Sequence, residues 1–95
     1  MVIGALRITL QIPACDSLKE KRRVVKQVVE RTRNRFAVAI AETALLDAHQ
    51  QAEIGIAVVG NDRRLINSIL DKVTAYIESV GVALVVGHEL EIINL

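Results

Sequence analysis

A chain of 95 residues has room for one domain with one core, residues 1–95, and its formal net charge of +1 points to no strongly acidic or basic partner by itself. Hydrophobic residues make up 52% and aromatics only 2%, Phe36 and Tyr76, so the core must be built from Val, Ile, Leu and Ala. The lone cysteine, Cys15, excludes an intrachain disulfide, and no apolar run approaches the roughly 18 residues of a membrane span.

The first stretch, Val2 to Ile12, alternates. Val2, Leu6, Ile8, Leu10 and Ile12 point one way, while Arg7, Thr9 and Gln11 point the other, which predicts a strand buried on one face. It begins with no basic segment leading into an apolar block, so no secretory leader is expected and a cytoplasmic location is. Pro13 ends the strand, because proline cannot donate to a ladder.

Ser17-Leu-Lys-Glu20 reads as a capping box that opens a helix to about Asn34. Leu18, Val25, Val28, Val29 and Thr32 share one side at helical spacing. Phe36 to Glu42 alternates and predicts a second strand, with Phe36, Val38 and Ile40 inward. Thr43 to Gln50 reads as a loop with a short helical turn. Ala52 to Val59 predicts a third strand, with Ile54, Ile56 and Val58 inward. Gly60-Asn61-Asp62 is turn and cap chemistry before a second helix marked by Leu65, Ile66, Ile69, Leu70, Val73, Ile77 and Val80. Gly81 is its expected C-terminal cap, and Val82 to about Ile93 a last strand.

The order β-α-β-β-α-β is the split βαβ pattern. It predicts an α+β, ferredoxin-like sandwich: a four-stranded antiparallel sheet with two helices on one face. The opposite face would carry Ile3, Ala5, Arg7, Ala37, Ala39, Ala41, Gly55, Ala57, Val59 and Val85. A bare apolar face of that size predicts a cover, a second subunit in a homo-oligomer (a dimer through the open sheet face) ahead of a ligand, and the plain alternative is a weakly exposed alanine-rich sheet.

Charge is polarised along the chain. From Ser17 to Arg35 eight basic residues meet two acidic ones, a local net of +6, and the remainder carries −5. Lys19, Arg22, Arg23, Lys26 and Arg33 fall on one helical face, with Glu30 among them; Arg31 and Arg35 are secondary candidates. Lys19, Lys21 and Arg22 lie in the first turn, where each cation opposes the helix dipole at a cost of about 0.3–1 kcal/mol when exposed. A bound polyanion would offset that cost, which makes the five-residue stripe a candidate nucleic-acid-binding site. The plain alternative is a solvated helix face, and Lys21, nearer the apolar side, would then run its stem along the core edge. Because the open sheet face has no aromatic side chain, any RNA contact should run through backbone phosphates, with little sequence preference.

Nothing nominates catalytic, cofactor-binding or metal-ligating residues. Cys15 precedes a helix N-terminus but has no histidine near it in sequence. His49 and His88 lack metal-ligand spacing, Glu89 and Glu91 read as edge carboxylates, and no phosphate-binding glycine loop or nucleophile elbow is present. A non-enzymatic binding protein is therefore expected. A homo-oligomeric domain that binds a small molecule or acts as a scaffold is the alternative.

The runs Ser17-Leu-Lys-Glu-Lys-Arg-Arg-Val-Val-Lys26, Arg33-Asn-Arg-Phe36 and Val58-Val-Gly-Asn-Asp62, with Arg7 in a strand opened by Val-Ile-Gly, resemble the YlxP-like family of small bacterial proteins. The family is of unknown function. The resemblance implies a ferredoxin-like fold. It also implies a ribosome- or RNA-linked role, since members often sit genetically beside translation initiation and ribosome maturation factors. Relatives often carry a tryptophan ahead of the Gln-rich stretch; here Asp47-Ala-His-Gln-Gln51 stands without one.

Overall fold

The alternation of the first strand is realised as β1 (Val2–Gln11), in which even-numbered positions are buried and odd-numbered ones partly or fully exposed. A computed structural model describes all 95 residues and continues through α1 (Leu18–Arg35), β2 (Ala39–Ala44), β3 (Gln51–Gly60), α2 (Arg63–Val80) and β4 (Leu84–Asn94). The strands form one sheet in the order β2-β3-β1-β4, with every neighbouring pair antiparallel. This is the expected α+β, ferredoxin-like architecture.

The core between sheet and helices is aliphatic. Ile8, Leu10 and Ile54 from the sheet meet Val28 of α1 and Ile66, Leu70, Val73 and Ile77 of α2, all essentially sealed from solvent. The buried positions of α2 are uniformly apolar. Those of α1 are Lys21, Val25, Val28 and Thr32, half of them polar. Cys15 joins this core, its thiol directed at the Ser17 carbonyl at 3.4 Å, so it offers no accessible nucleophile.

The helix ends follow their signals. Ser17 Oγ accepts from Glu20 N–H at 3.1 Å, although the reciprocal half of the capping box is not made. Asp62 Oδ1 accepts from the N–H groups of Arg64 and Leu65, and Gly81 closes α2 at φ +75°. Gly4 lets α2 approach β1: a Cβ there would lie 2.5 Å from Ile66 Cγ2 and 2.8 Å from Leu70 Cδ1.

Two boundaries differ from the sequence expectation. Phe36 does not begin a strand. It is the C-terminal cap of α1, its N–H donating to Thr32 O at 2.9 Å and its ring set edge-on to Tyr76 at 5.7 Å. Helical hydrogen bonding and that aromatic contact hold it, and β2 starts only at Ala39. In the stretch 43–50, β2 runs through Ala44, Leu45 then reverses the chain at φ +62°, and Ala48 N–H closes a single turn on Leu45 O at 3.0 Å.

Candidate nucleic-acid interface

Charged residues of α1 divide into those that the fold uses and those that it leaves free. Lys21 belongs to the first group. Four and seven residues ahead of Val25 and Val28, it lies on the core-facing side and is fully buried. Its Nζ donates to Leu45 O at 2.6 Å, reaches Leu46 O at 3.5 Å, and pairs with Glu42 Oε2 at 2.9 Å. The sequence expectation of a stem lying along the core edge is thus corrected: the ammonium has polar partners inside the protein and does not need to reach water. Carbonyls at the reversal after β2 supply two of them, that of Leu45 while also accepting from Ala48 N–H, so Lys21 ties α1 to the β2–β3 connection.

Arg33 is also diverted. Although exposed overall, it donates through Nη2 to the Ile40 carbonyl of edge strand β2 at 3.0 Å. Arg35 stacks over Tyr76 at 5.0 Å from the ring centroid, which directs it to α2. Lys26 stays exposed and makes only a long contact with Glu30, 3.9 Å, one turn on. Such a pair contributes about 0.3–0.5 kcal/mol and holds the ammonium weakly. Lys19, Arg22 and Arg23 are exposed and form no ion pair or side-chain hydrogen bond. Of the five stripe residues, four therefore share an open surface over the first half of α1, and Arg33 stands apart from them.

The face of the sheet away from the helices is not the bare surface that the sequence suggested. Val85 pairs with Leu10 and packs on the helix side, which removes it from this face. Arg7 stands at the centre, its Nη2 2.7 Å from Glu89 Oε2 and its Nε 3.7 Å from Glu53 Oε1. Thr43 Oγ1 donates to the other Glu53 oxygen at 2.6 Å. The hydrogen bond to Glu89, and then the charges of Glu89 and Glu53, raise the Arg7 pKa above its ordinary value, so the guanidinium stays charged. Around this cluster Ala5, Ala41, Gly55 and Ala57 floor an open concavity of about 750 Å³.

Sequence reasoning missed both ion-pair groups. Lys21–Glu42 had a legible signal, since Lys21 lies on the apolar side of the helix and Glu42 keeps the inward parity of Ile40. Two opposite charges on inward positions of consecutive elements imply a buried pair. Arg7–Glu89 needed the register of β1 with β4, which places those residues directly opposite each other and which no local pattern encodes.

The molecule is thus a small ferredoxin-like domain with a free cationic patch on its first helix and no helix long and apolar enough to cross a membrane. Residues 3–89 match the family described as "Protein of unknown function (DUF503)". The uncharacterised protein YlxP of Bacillus subtilis (strain 168) is 41% identical over 78 residues, spanning 82% of this chain and 85% of that protein. The chain belongs to this family, the YlxP-like one that its motifs resembled. Solved structures similar to it include the structural-genomics protein YJCS, with a TM-score of 0.59, 14% identity and coverage of 97% and 99% of the two chains. The de novo designed protein Foldit4 is also similar, at 0.52 and 15%, covering 99% and 97%. At these identities the likeness is one of fold alone.

Proposed function

We propose that this protein is a cytoplasmic, non-catalytic binder of RNA, free or within a ribosomal subunit, and that Lys19, Arg22, Arg23 and Lys26 contact backbone phosphates. The observation that carries the reading is that Lys19, Arg22 and Arg23 crowd the first two turns of an 18-residue helix, outnumber the one carboxylate there, Glu20, and form no ion pair with it or any other. Cations there work against the helix dipole, whereas a phosphate gains from both the cations and the dipole. Where α1 needs a cation for its own stability, as at Lys21, the structure supplies partners; at these positions it supplies none. Arg33 is left out of the contact set because its guanidinium already serves Ile40.

The test is equilibrium binding of ribosomal RNA fragments and intact subunits across a salt series, for the native protein and a Lys19→Gln/Arg22→Gln/Arg23→Gln variant. Loss of three phosphate contacts should lower the slope of log K against log salt by about 2 to 3, whatever the RNA sequence. An unchanged slope and affinity would refute the proposal.

A second reading rests on the open sheet face. A volume of about 750 Å³ lies within the roughly 300–1,000 Å³ of small-molecule sites, and its apolar floor with one polar cluster is how such sites are lined. On this reading the domain is a sensor or scaffold. Small-molecule-dependent melting that an Arg7→Ala change abolishes, with RNA affinity absent, would favour it over the first.

A further inference from the structure

The two edges of the sheet are treated differently by the chain. β2 is six residues long and broken by an irregularity between Glu42 and Ala44. Arg33 occupies its Ile40 carbonyl, and Lys21 takes the carbonyls of Leu45 and Leu46 just beyond. That edge is short and covered, as edges on soluble proteins usually are. β4 is eleven residues long, has no proline and no lysine, and leaves Leu84, Val86, Leu90 and Ile93 39–56% exposed.

The phase of β4 can be worked out. Met1 N donates to Leu95 O and Leu95 N to Met1 O, so residues 1 and 95 are a hydrogen-bonded pair. Such pairs alternate along an antiparallel ladder, so Ile93, Glu91, Glu89 and Gly87 turn their backbone groups towards β1. His88, Leu90, Ile92 and Asn94 turn theirs outward. The contact from Arg63 Nη1 to Ile92 O, 3.5 Å, fits this phase and occupies one outward carbonyl. Those of His88 and Leu90 have no partner within the chain.

Gly87 is the second observation. Its φ is not positive, and a Cβ built on it meets nothing within 4 Å, so neither backbone strain nor internal packing requires glycine there. Gly87 adjoins the irregularity at which Val86 is left without a partner on β1, a common place for a strand glycine, and its bare backbone also leaves room for close approach by another strand.

We propose that β4 pairs with β4 of a second copy of this chain, antiparallel about a two-fold axis, to make one continuous eight-stranded sheet. Charge selects the register. An axis at Glu89 or Glu91 sets each of those carboxylates against itself, and one at Leu90 sets Glu89 against Glu91 twice; like charges directly opposite are destabilising. An axis at Ile92 would displace Arg63. With the axis at His88, Glu89 lies opposite Gly87 of the second copy, where no side chain crowds its bond to Arg7, and Leu90 lies beside Val86. The same strand thus supplies both halves of a self-complementary contact, as a two-fold interface requires. The proposal is independent of RNA binding, since α1 takes no part in it.

Sedimentation equilibrium or light scattering on the full chain tests it. At roughly 100 μM, well above a micromolar dissociation constant, the native protein should show about twice 10.4 kDa. Leu90→Pro removes an outward N–H that the internal ladder does not use, so it should show the mass of one chain with unchanged circular dichroism. Leu90→Lys should do the same and serves if the proline variant does not fold. In a Cys15→Ser background, His88→Cys should cross-link on oxidation, because Cα atoms of a hydrogen-bonded antiparallel pair lie about 5.5 Å apart, within disulfide reach. Ile92→Cys should not. A native monomer at this concentration, a dimer that survives Leu90→Lys, or cross-linking at residue 92 in place of 88 would each overturn the assignment.

Discussion

Replacing Lys21 by methionine keeps most of the side-chain volume and removes the charge. Three contacts are lost together: those to the Leu45 carbonyl at 2.6 Å, which keeps the Ala48 N–H, to the Leu46 carbonyl at 3.5 Å and to Glu42 Oε2 at 2.9 Å. Glu42 Oε2 forms no hydrogen bond and is held by this ion pair alone, and only 15% of its side chain is exposed. Removing one member of a buried ion pair costs about 3–5 kcal/mol, because the other is left uncompensated. The small exposure of Glu42 gives it some access to water, so the lower end, about 3 kcal/mol, is the expected loss. Domains of this size hold about 5–15 kcal/mol in total, and the melting temperature should fall by roughly 12–24 °C. Urea titrations of Lys21→Met, Glu42→Gln and the double variant give the coupling directly. The double variant should be more stable than Lys21→Met alone, since it leaves no buried carboxylate unpaired. A Lys21→Met loss under about 1 kcal/mol, or two single losses that simply add, would refute the claim that the ammonium, rather than the aliphatic stem, fastens α1 to the β2–β3 turn.

Gly4→Ala forces a methyl group against Ile66 Cγ2 and Leu70 Cδ1 and should cost about 1–3 kcal/mol of overpacking in chemical denaturation. Ser17→Ala removes the oxygen that accepts from Glu20 N–H and should lower stability by about 1 kcal/mol, while Ser17→Asp retains it. Arg7 has a folded-state pKa raised above its ordinary value by Glu89 and then Glu53, so its stabilising effect is complete below the unfolded value and fades only as pH climbs through the folded one. Stability curves of the native protein and Arg7→Gln should therefore run parallel between about pH 6 and pH 9, a range in which neither the guanidinium nor ordinary carboxylates titrate.

The fold was legible where its signals were local and repeated. Val2–Gln11 and Gln51–Gly60 alternate because each buries one face, and the caps at Ser17, Asp62 and Gly81 carry residue types that their geometry demands. Phe36 misled because an apolar residue in extended conformation suits a strand start and a helix cap equally well. Only the packing of Tyr76, forty residues on, decides between them. The open face misled for a related reason. Parity placed Ala5, Arg7 and Gly55 there correctly, but an irregularity between Thr9 and Leu10 shifts the pairing of β4, and Val85 moves to the other side. Register is set between strands, so its local faults leave no mark on either strand alone.

The cations of α1 show how composition understates function. Lys19 and Lys21 are two residues apart, carry the same group and lie in the same unfavourable end of the helix dipole. One is wholly buried among two carbonyls and a carboxylate, the other stands in solvent with none. A helical wheel separates them by about 200°, so the difference was available from spacing alone once the apolar side was known. That separation also fixes what a mutation at each position can report. Loss of RNA binding in a Lys21 variant would say nothing about phosphate contact, because such a variant loosens the β2–β3 turn and the seating of α1 together. Lys19, Arg22 and Arg23 have no internal partner to lose, so a change in affinity on neutralising them, at constant melting temperature, reads the surface and not the fold.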